Sequence, residues 1–254
     1  MALLEVGKVS KGFGGLKALA DVSFKINRGE IFGVIGPNGA GKTTLFNALT
    51  GLYLPDTGTI ELDGVSLFRR KPHTILKAGL ARTFQNIRLF HNMSALENVM
   101  VGRHARTTAG VLGAVLRTAW TRAEEEDSRK RASELLERVG IERHSHVLAK
   151  HLSYGDQRRL EIARAMATEP KLLALDEPAA GMNSAEKQTL RELLLALKED
   201  GFTLMLIEHD VKLVMNTCDR VMVLDYGEKI AEGLPDDVRA NPKVIAAYLG
   251  SESA

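Results

Sequence analysis

The octet Gly36-Pro37-Asn38-Gly39-Ala40-Gly41-Lys42-Thr43 constrains this chain more than any other feature, because it satisfies the phosphate-loop pattern G-x-x-x-x-G-K-[ST]. Its glycines let backbone N–H groups converge on phosphate oxygens with no Cβ in the way. Lys42 adds a point charge for the β- and γ-phosphates, and the Thr43 hydroxyl can ligate Mg²⁺. The flanks supply the context the pattern needs. Ile31 to Ile35 is a compact β-branched run that feeds into the loop, and Thr43 to Thr50, beginning Thr43-Thr44, reads as a helix that Gly51 stops.

The rest of the chain extends this strand–loop–helix start into a layered plan. Lys171 to Asp176 and Phe202 to Glu208 are apolar runs of strand length, and a helix from about Ser184 to Glu199 joins them. Asn183 with Glu186 makes a cap-and-box pattern at its start, and Leu190, Leu193, Leu194 and Leu197 form its buried stripe. Apolar runs joined by helices are expected as buried parallel strands. The first sixty-odd residues alternate short β-like runs with turns, and Ile60-Glu61-Leu62 before Asp63-Gly64 reads as a hairpin or strand end. Arg220 to Asp225, Tyr226-Gly227 and Lys229 to Ala231 read as a final hairpin. From about Ala123 to Val139 the spacing of Ala132, Leu135, Leu136 and Val139 is helical, with Gly140 as the stop. The expected fold is α/β, a single domain over 1–254. It has a nucleotide-binding core with a parallel sheet and an antiparallel β subdomain (1–85 and 152–235), an inserted α-helical subdomain (86–151) and a helical tail (236–254).

Composition narrows the function classes. Lys plus Arg is 34 against 32 for Asp plus Glu, a net charge of +2, so charge gives no reason to expect a nucleic-acid partner. The single cysteine, Cys218, excludes an internal disulfide and fits a reducing compartment. The longest apolar run, Ala109 to Leu116, falls well short of the roughly 18 to 20 residues a membrane span needs. The start, Met-Ala-Leu-Leu-Glu, lacks the basic residues and apolar core of a secretory signal. The expectation is a cytosolic chain, so that at a membrane other chains must supply the passage.

Leu172-Leu173-Ala174-Leu175-Asp176-Glu177 is a buried strand ending in two acids. Burying carboxylates is costly unless something positive meets them. Mg²⁺ carried by a nucleotide is the natural partner for Asp176, while Glu177 is placed to orient and deprotonate a water.

Leu152-Ser153-Tyr154-Gly155-Asp156-Gln157, standing shortly before Asp176, resembles the LSGGQ-type motif peculiar to ABC (ATP-binding cassette) ATPases, a branch of the P-loop NTPases. The resemblance extends from about Leu3 to Leu249. It implies ATP and Mg²⁺ as ligands and two subunits facing head to tail. ATP is then clamped between one subunit's residues Gly36 to Thr44 and the other's Ser153 and Gly155, with Asp156 and Gln157 in the same segment. A serine and backbone N–H groups at a helix start make a suitable anion site. The resemblance further implies that Gln85 reaches Mg²⁺ and the attacking water, that His209 contacts the γ-phosphate, and that Phe13 stacks on adenine where tyrosine is commoner. The implied catalytic set is Lys42, Gln85, Glu177 and His209; the implied metal set is Thr43, Gln85 and Asp176. Tyr154 departs from the commoner glycine. Asn183 replaces the usual Asp, which keeps a capping oxygen and removes a charge.

A narrower resemblance rests on Phe13-Gly14-Gly15-Leu16-Lys17-Ala18-Leu19, Arg82 to Phe90, Glu177 to Asn183, Ile207 to Asp210 and Asn241-Pro242 to Gly250. These segments look like the larger ATPase of bacterial and archaeal importers of leucine, isoleucine and valine. The resemblance implies a second ATPase subunit (homo- or heterodimer), two membrane permeases, a periplasmic or extracellular binding protein, and a place on the inner face of the cell membrane. The ATPase of a lipopolysaccharide exporter, a soluble ABC protein and a non-enzymatic nucleotide-binding regulator are the alternatives. The insert from Arg103 to Arg122 and the phenylalanine-rich segment around Gln85 favour the importer. Arg88 to Phe90, with Leu89 and Phe90 as a large apolar pair, is the expected permease-docking segment, and Ala109 to Trp120 adds apolar surface.

Overall fold

A computed structural model describes residues 2–104 and 119–251. Its chain divides into two compact units, Met1–Gln85 with Lys171–Ala254, and Asn86–Pro170.

The first unit carries β1 (Ala2–Phe13), β2 (Leu16–Asn27), β3 (Ile31–Ile35), β4 (Thr57–Leu62), β5 (Val65–Ser66), β6 (Leu80–Arg82), β7 (Leu172–Asp176), β8 (Thr203–Ile207), β9 (Arg220–Asp225) and β10 (Glu228–Gly233). The order β2-β1-β4-β5 makes an antiparallel sheet, and β10-β9-β3-β8-β7-β6 makes a sheet that is parallel except at its β10 edge. Every residue of β3, β7 and β8 is buried, as strands covered on both faces must be. Phe24 of β2 stacks on Phe32 of β3 with centroids 5.4 Å apart, and one hydrophobic cluster joins residues of both sheets. The helix Ser184–Glu199 buries the expected Leu190, Leu193, Leu194 and Leu197. Its capping box closes through Asn183, whose side chain accepts from the Glu186 N–H while Glu186 accepts from the Asn183 N–H. In a sheet so ordered, the loops after the carboxyl ends of the parallel strands are where a ligand is expected.

In the second unit the helices Ala95–Arg103, Ala119–Arg138 and Tyr154–Met166 pack on one another. The helix that follows Ser153 therefore belongs with this unit. The sequence-based boundary at 151/152 is corrected to Pro170/Lys171, because the packing partners of that helix lie in the insertion. Asn98, fully buried, accepts from the Phe90 N–H and donates to the carbonyls of Phe90, Met93 and Ser94, which fixes the turn ahead of its own helix. The expected docking pair is split. Leu89 is only 7% exposed and packs inside, whereas Phe90 is 47% exposed, with the Arg164 guanidinium 5.9 Å from its ring. The Ala109 to Leu116 run, and with it most of the Ala109–Trp120 segment and of the Arg103 to Arg122 insert, lies outside the described residues. Among the described residues no helix is long and apolar enough to cross a membrane.

Candidate active site

The phosphate loop leaves β3 and enters the helix Lys42–Leu49 through Gly41 at φ 99°. A Cβ at Gly41 would meet the Ala18 carbonyl at 2.6 Å, and one at Gly36 would meet the Leu224 carbonyl at 2.1 Å, so both positions require glycine. No side chain caps this helix, which leaves its first N–H groups without an intrahelical partner and favourable to an anion. Lys42 is buried, and its ammonium donates to the carbonyls of Gly36 (2.7 Å) and Pro37 (2.8 Å). Burial pulls its pKa below the ordinary lysine value, with the Glu177 charge opposing the shift.

Asp176 ends β7 in a buried position, and its N–H donates to Thr83 Oγ1. Its carboxylate lies 3.7 Å from the Arg82 guanidinium. Arg82 stacks near the rings of Phe46 (4.4 Å) and Phe84 (4.6 Å) and donates to Asn47 Oδ1 and Thr50 Oγ1. The sequence reading assigned Arg82 no role; the chain itself supplies a cation for Asp176. Glu177 follows at φ 47°, a left-handed conformation that a residue with a Cβ seldom adopts, and its N–H donates to the Ile207 carbonyl. Its Oε2 accepts from Gln85 Nε2 and from His209 Nε2, both at 2.8 Å. Next to it, buried Glu208 accepts from the Ala179 N–H at 2.7 Å. Burial pushes the Glu208 carboxyl up, and the N–H groups of Ala179 and Asp210 oppose that shift.

Of these groups Lys42, Gln85, Glu177 and His209 line a cavity of about 610 Å³, whose walls also include Phe13 and the rest of residues 38–44. Phe13, at the end of β1, is 41% exposed and meets Tyr53 edge-on at 5.2 Å, with Lys11 Nζ 5.3 Å from its ring. Gly36, Pro37 and Asp176 are not among the residues that line the cavity. Tyr226 and Gly227 also line the cavity, and sequence reasoning noted them only as a turn.

Ser153, Gly155, Asp156 and Gln157 stand in the second unit. Ser153 caps the helix Tyr154–Met166, accepting from the Asp156 N–H and donating to Asp156 Oδ2. The Asp156 carboxylate also pairs with Arg159 at 2.8 Å, and Gln157 donates to the Leu152 carbonyl. These bonds keep the Asp156 and Gln157 side chains within their own helix start. Ser153 and Tyr154 are exposed, whereas Gly155 is buried.

A buried ammonium, uncapped helix N–H groups and a strained acid around one cavity define a phosphate-loop nucleotide-binding cassette. The chain belongs to the family of ABC transporter ATP-binding proteins. The family pattern described as "ABC transporter" matches residues 19–180, and one described as "Branched-chain amino acid ATP-binding cassette transporter" matches residues 228–254. The high-affinity branched-chain amino acid transport ATP-binding protein LivG of Salmonella typhimurium is 46% identical over 98% of both chains. The ADP conformation of MJ1267, an ATP-binding cassette of an ABC transporter, superposes with a TM-score of 0.86 at 33% identity, covering 98% of this chain and 99% of that one. The dimeric cassette MJ0796 superposes at 0.77 with 27% identity, covering 91% of this chain and 98% of that one.

Proposed function

We propose that this chain hydrolyses ATP to power a membrane importer of branched-chain amino acids. The observation that carries hydrolysis is the single Glu177 oxygen held by Gln85 and His209 at the wall of the Lys42 cavity. Two donors fix the carboxylate in one orientation at the cavity wall, where a general base has to stand. The Lys42 ammonium exchanges its two loop carbonyls for phosphate oxygens, Phe13 takes the adenine, and His209 contacts the γ-phosphate. The cargo rests on the likeness to LivG over 98% of the chain and on the match at residues 228–254.

Among the described residues no cluster of three or more His, Cys, Asp or Glu side chains could hold a metal alone. One carboxylate, one hydroxyl and one amide oxygen suit Mg²⁺, which keeps water and phosphate ligands of its own. Asp176, Thr43 and Gln85 would hold it, and it would neutralise charge on the phosphates.

Two subunits, identical or different, close head to tail on ATP. Ser153 and the Gly155 backbone, at the start of the helix Tyr154–Met166, reach the partner's nucleotide, while Asp156 and Gln157 hold that helix start in shape. The chain works on the inner face of the membrane with two permeases and, through them, a periplasmic or extracellular binding protein. Phe90, with the neighbouring groove lined by Met93, Met100 and Val101, is the permease-docking surface, because exposed apolar side chains in a groove suit a seated helix.

Light scattering during an ATP titration of Glu177→Gln tests the clamp. The account expects monomers without nucleotide and a long-lived dimer with ATP, since ATP forms part of the interface and mass action links the two. A stable nucleotide-free dimer burying the same surface contradicts it.

A further inference from the structure

The connection from β9 to β10 consists of two residues, Tyr226 and Gly227, at φ 45° and 80°. Two consecutive positive φ values mark a type I′ hairpin turn, for which Asn-Gly or Asp-Gly is preferred. The β4–β5 turn obeys that preference, with Asp63 and Gly64 at φ 51° and 76°. Tyr226 breaks it. An aromatic residue in the left-handed region is strained, and it lacks the short polar side chain that makes asparagine and aspartate tolerable there. Burial does not compensate, because Tyr226 is 87% exposed. A strained residue without packing in its own chain points to a contact made with something else.

The turn's backbone says where that contact lies. The Gly227 N–H donates to the Ala40 carbonyl of the phosphate loop at 3.0 Å, and the Ala20 N–H of β2 donates to the Gly227 carbonyl at 2.8 Å. A Cβ at Gly227 would meet the Ala18 carbonyl at 2.7 Å, so the turn is seated directly on β2. Tyr226 is therefore anchored beside the loop, and it lines the same cavity as Phe13. One aromatic comes from the end of β1 and the other from the β9–β10 turn.

We propose that Tyr226 is a second aromatic contact for the nucleoside half of the nucleotide, acting with Phe13 while the phosphate loop holds the triphosphate. This rests on the nucleotide assignment and adds a residue to it. An aromatic face or edge against a base is sequence-tolerant and strong enough to offset a strained turn.

Tyr226→Asn tests it, because asparagine suits the turn and removes the ring. Its melting temperature is expected to equal or exceed that of the wild type. Its Kd for ATP is expected to rise about tenfold, the size of one lost base–aromatic contact. Its Kd for inorganic tripolyphosphate, which has no base, stays unchanged. Tyr226→Phe, which keeps the ring, binds ATP like the wild type. A wild-type chain that fails to bind ATP defeats the nucleotide assignment itself. If the wild type binds ATP, three results overturn the role of Tyr226: unchanged ATP affinity in Tyr226→Asn, an equal loss for ATP and tripolyphosphate, or a lower melting temperature in that variant.

Discussion

At the scale of single residues the proposed chemistry rests on Glu177. Its left-handed backbone, its N–H bond to Ile207 and its two side-chain donors hold one carboxylate in one place. Glu177→Gln keeps an oxygen for a donor and loses the basic carboxylate, so kcat is expected to fall by about 10²- to 10⁴-fold with ATP binding retained. Single-turnover ATP hydrolysis measures the loss, and a rate near that of the wild type removes Glu177 from the role of base. The acid itself was legible in the sequence because an apolar strand ending in two carboxylates demands a counter-charge. Its neighbours were less so. Mg²⁺ was the expected partner of Asp176, and the Arg82 guanidinium nearby was not foreseen, because strand pairing between β6 and β7 alone brings the two together.

At the scale of elements, short-range signals carried well. The helix Ser184–Glu199, its Asn183–Glu186 box and the β9–β10 turn all depend on residues a few positions apart. The helix Tyr154–Met166 shows the limit, since its membership of the insertion depends on which helices it touches, and no local pattern encodes that. Inside this helix Arg158 and Glu161 form an ion pair at 2.9 Å, both essentially inaccessible to solvent. Removing Arg158 takes the 2.9 Å counter-charge away from the buried Glu161 carboxylate. Arg158→Ala is therefore expected to destabilise the second unit by about 3–5 kcal/mol, and Arg158→Met with Glu161→Leu by less than the two single changes summed. Urea unfolding measures both, and a loss below about 1 kcal/mol in Arg158→Ala refutes the pairing argument.

For the whole molecule the question is how hydrolysis reaches a membrane. Gln85, a donor to Glu177, is the last residue of the first unit's opening segment, and the chain passes from it directly into Asn86 and the second unit. The sequence pointed to Leu89 and Phe90 together, because apolar type does not separate inside from outside where no periodicity exists. Leu89 proved to be core and Phe90 surface. Phe90→Ala is accordingly expected to leave the melting temperature and basal ATPase activity nearly unchanged while disrupting permease assembly or transport. A sharp drop in melting temperature with full transport in cells would return Phe90 to the core and move the docking site elsewhere.

ATPase activity of the chain reconstituted in liposomes with its permeases and binding protein tests the central claim most directly. The account predicts several-fold stimulation by leucine, isoleucine or valine, absent in Glu177→Gln. Hydrolysis that ignores all three amino acids, or that persists undiminished in Glu177→Gln, contradicts it.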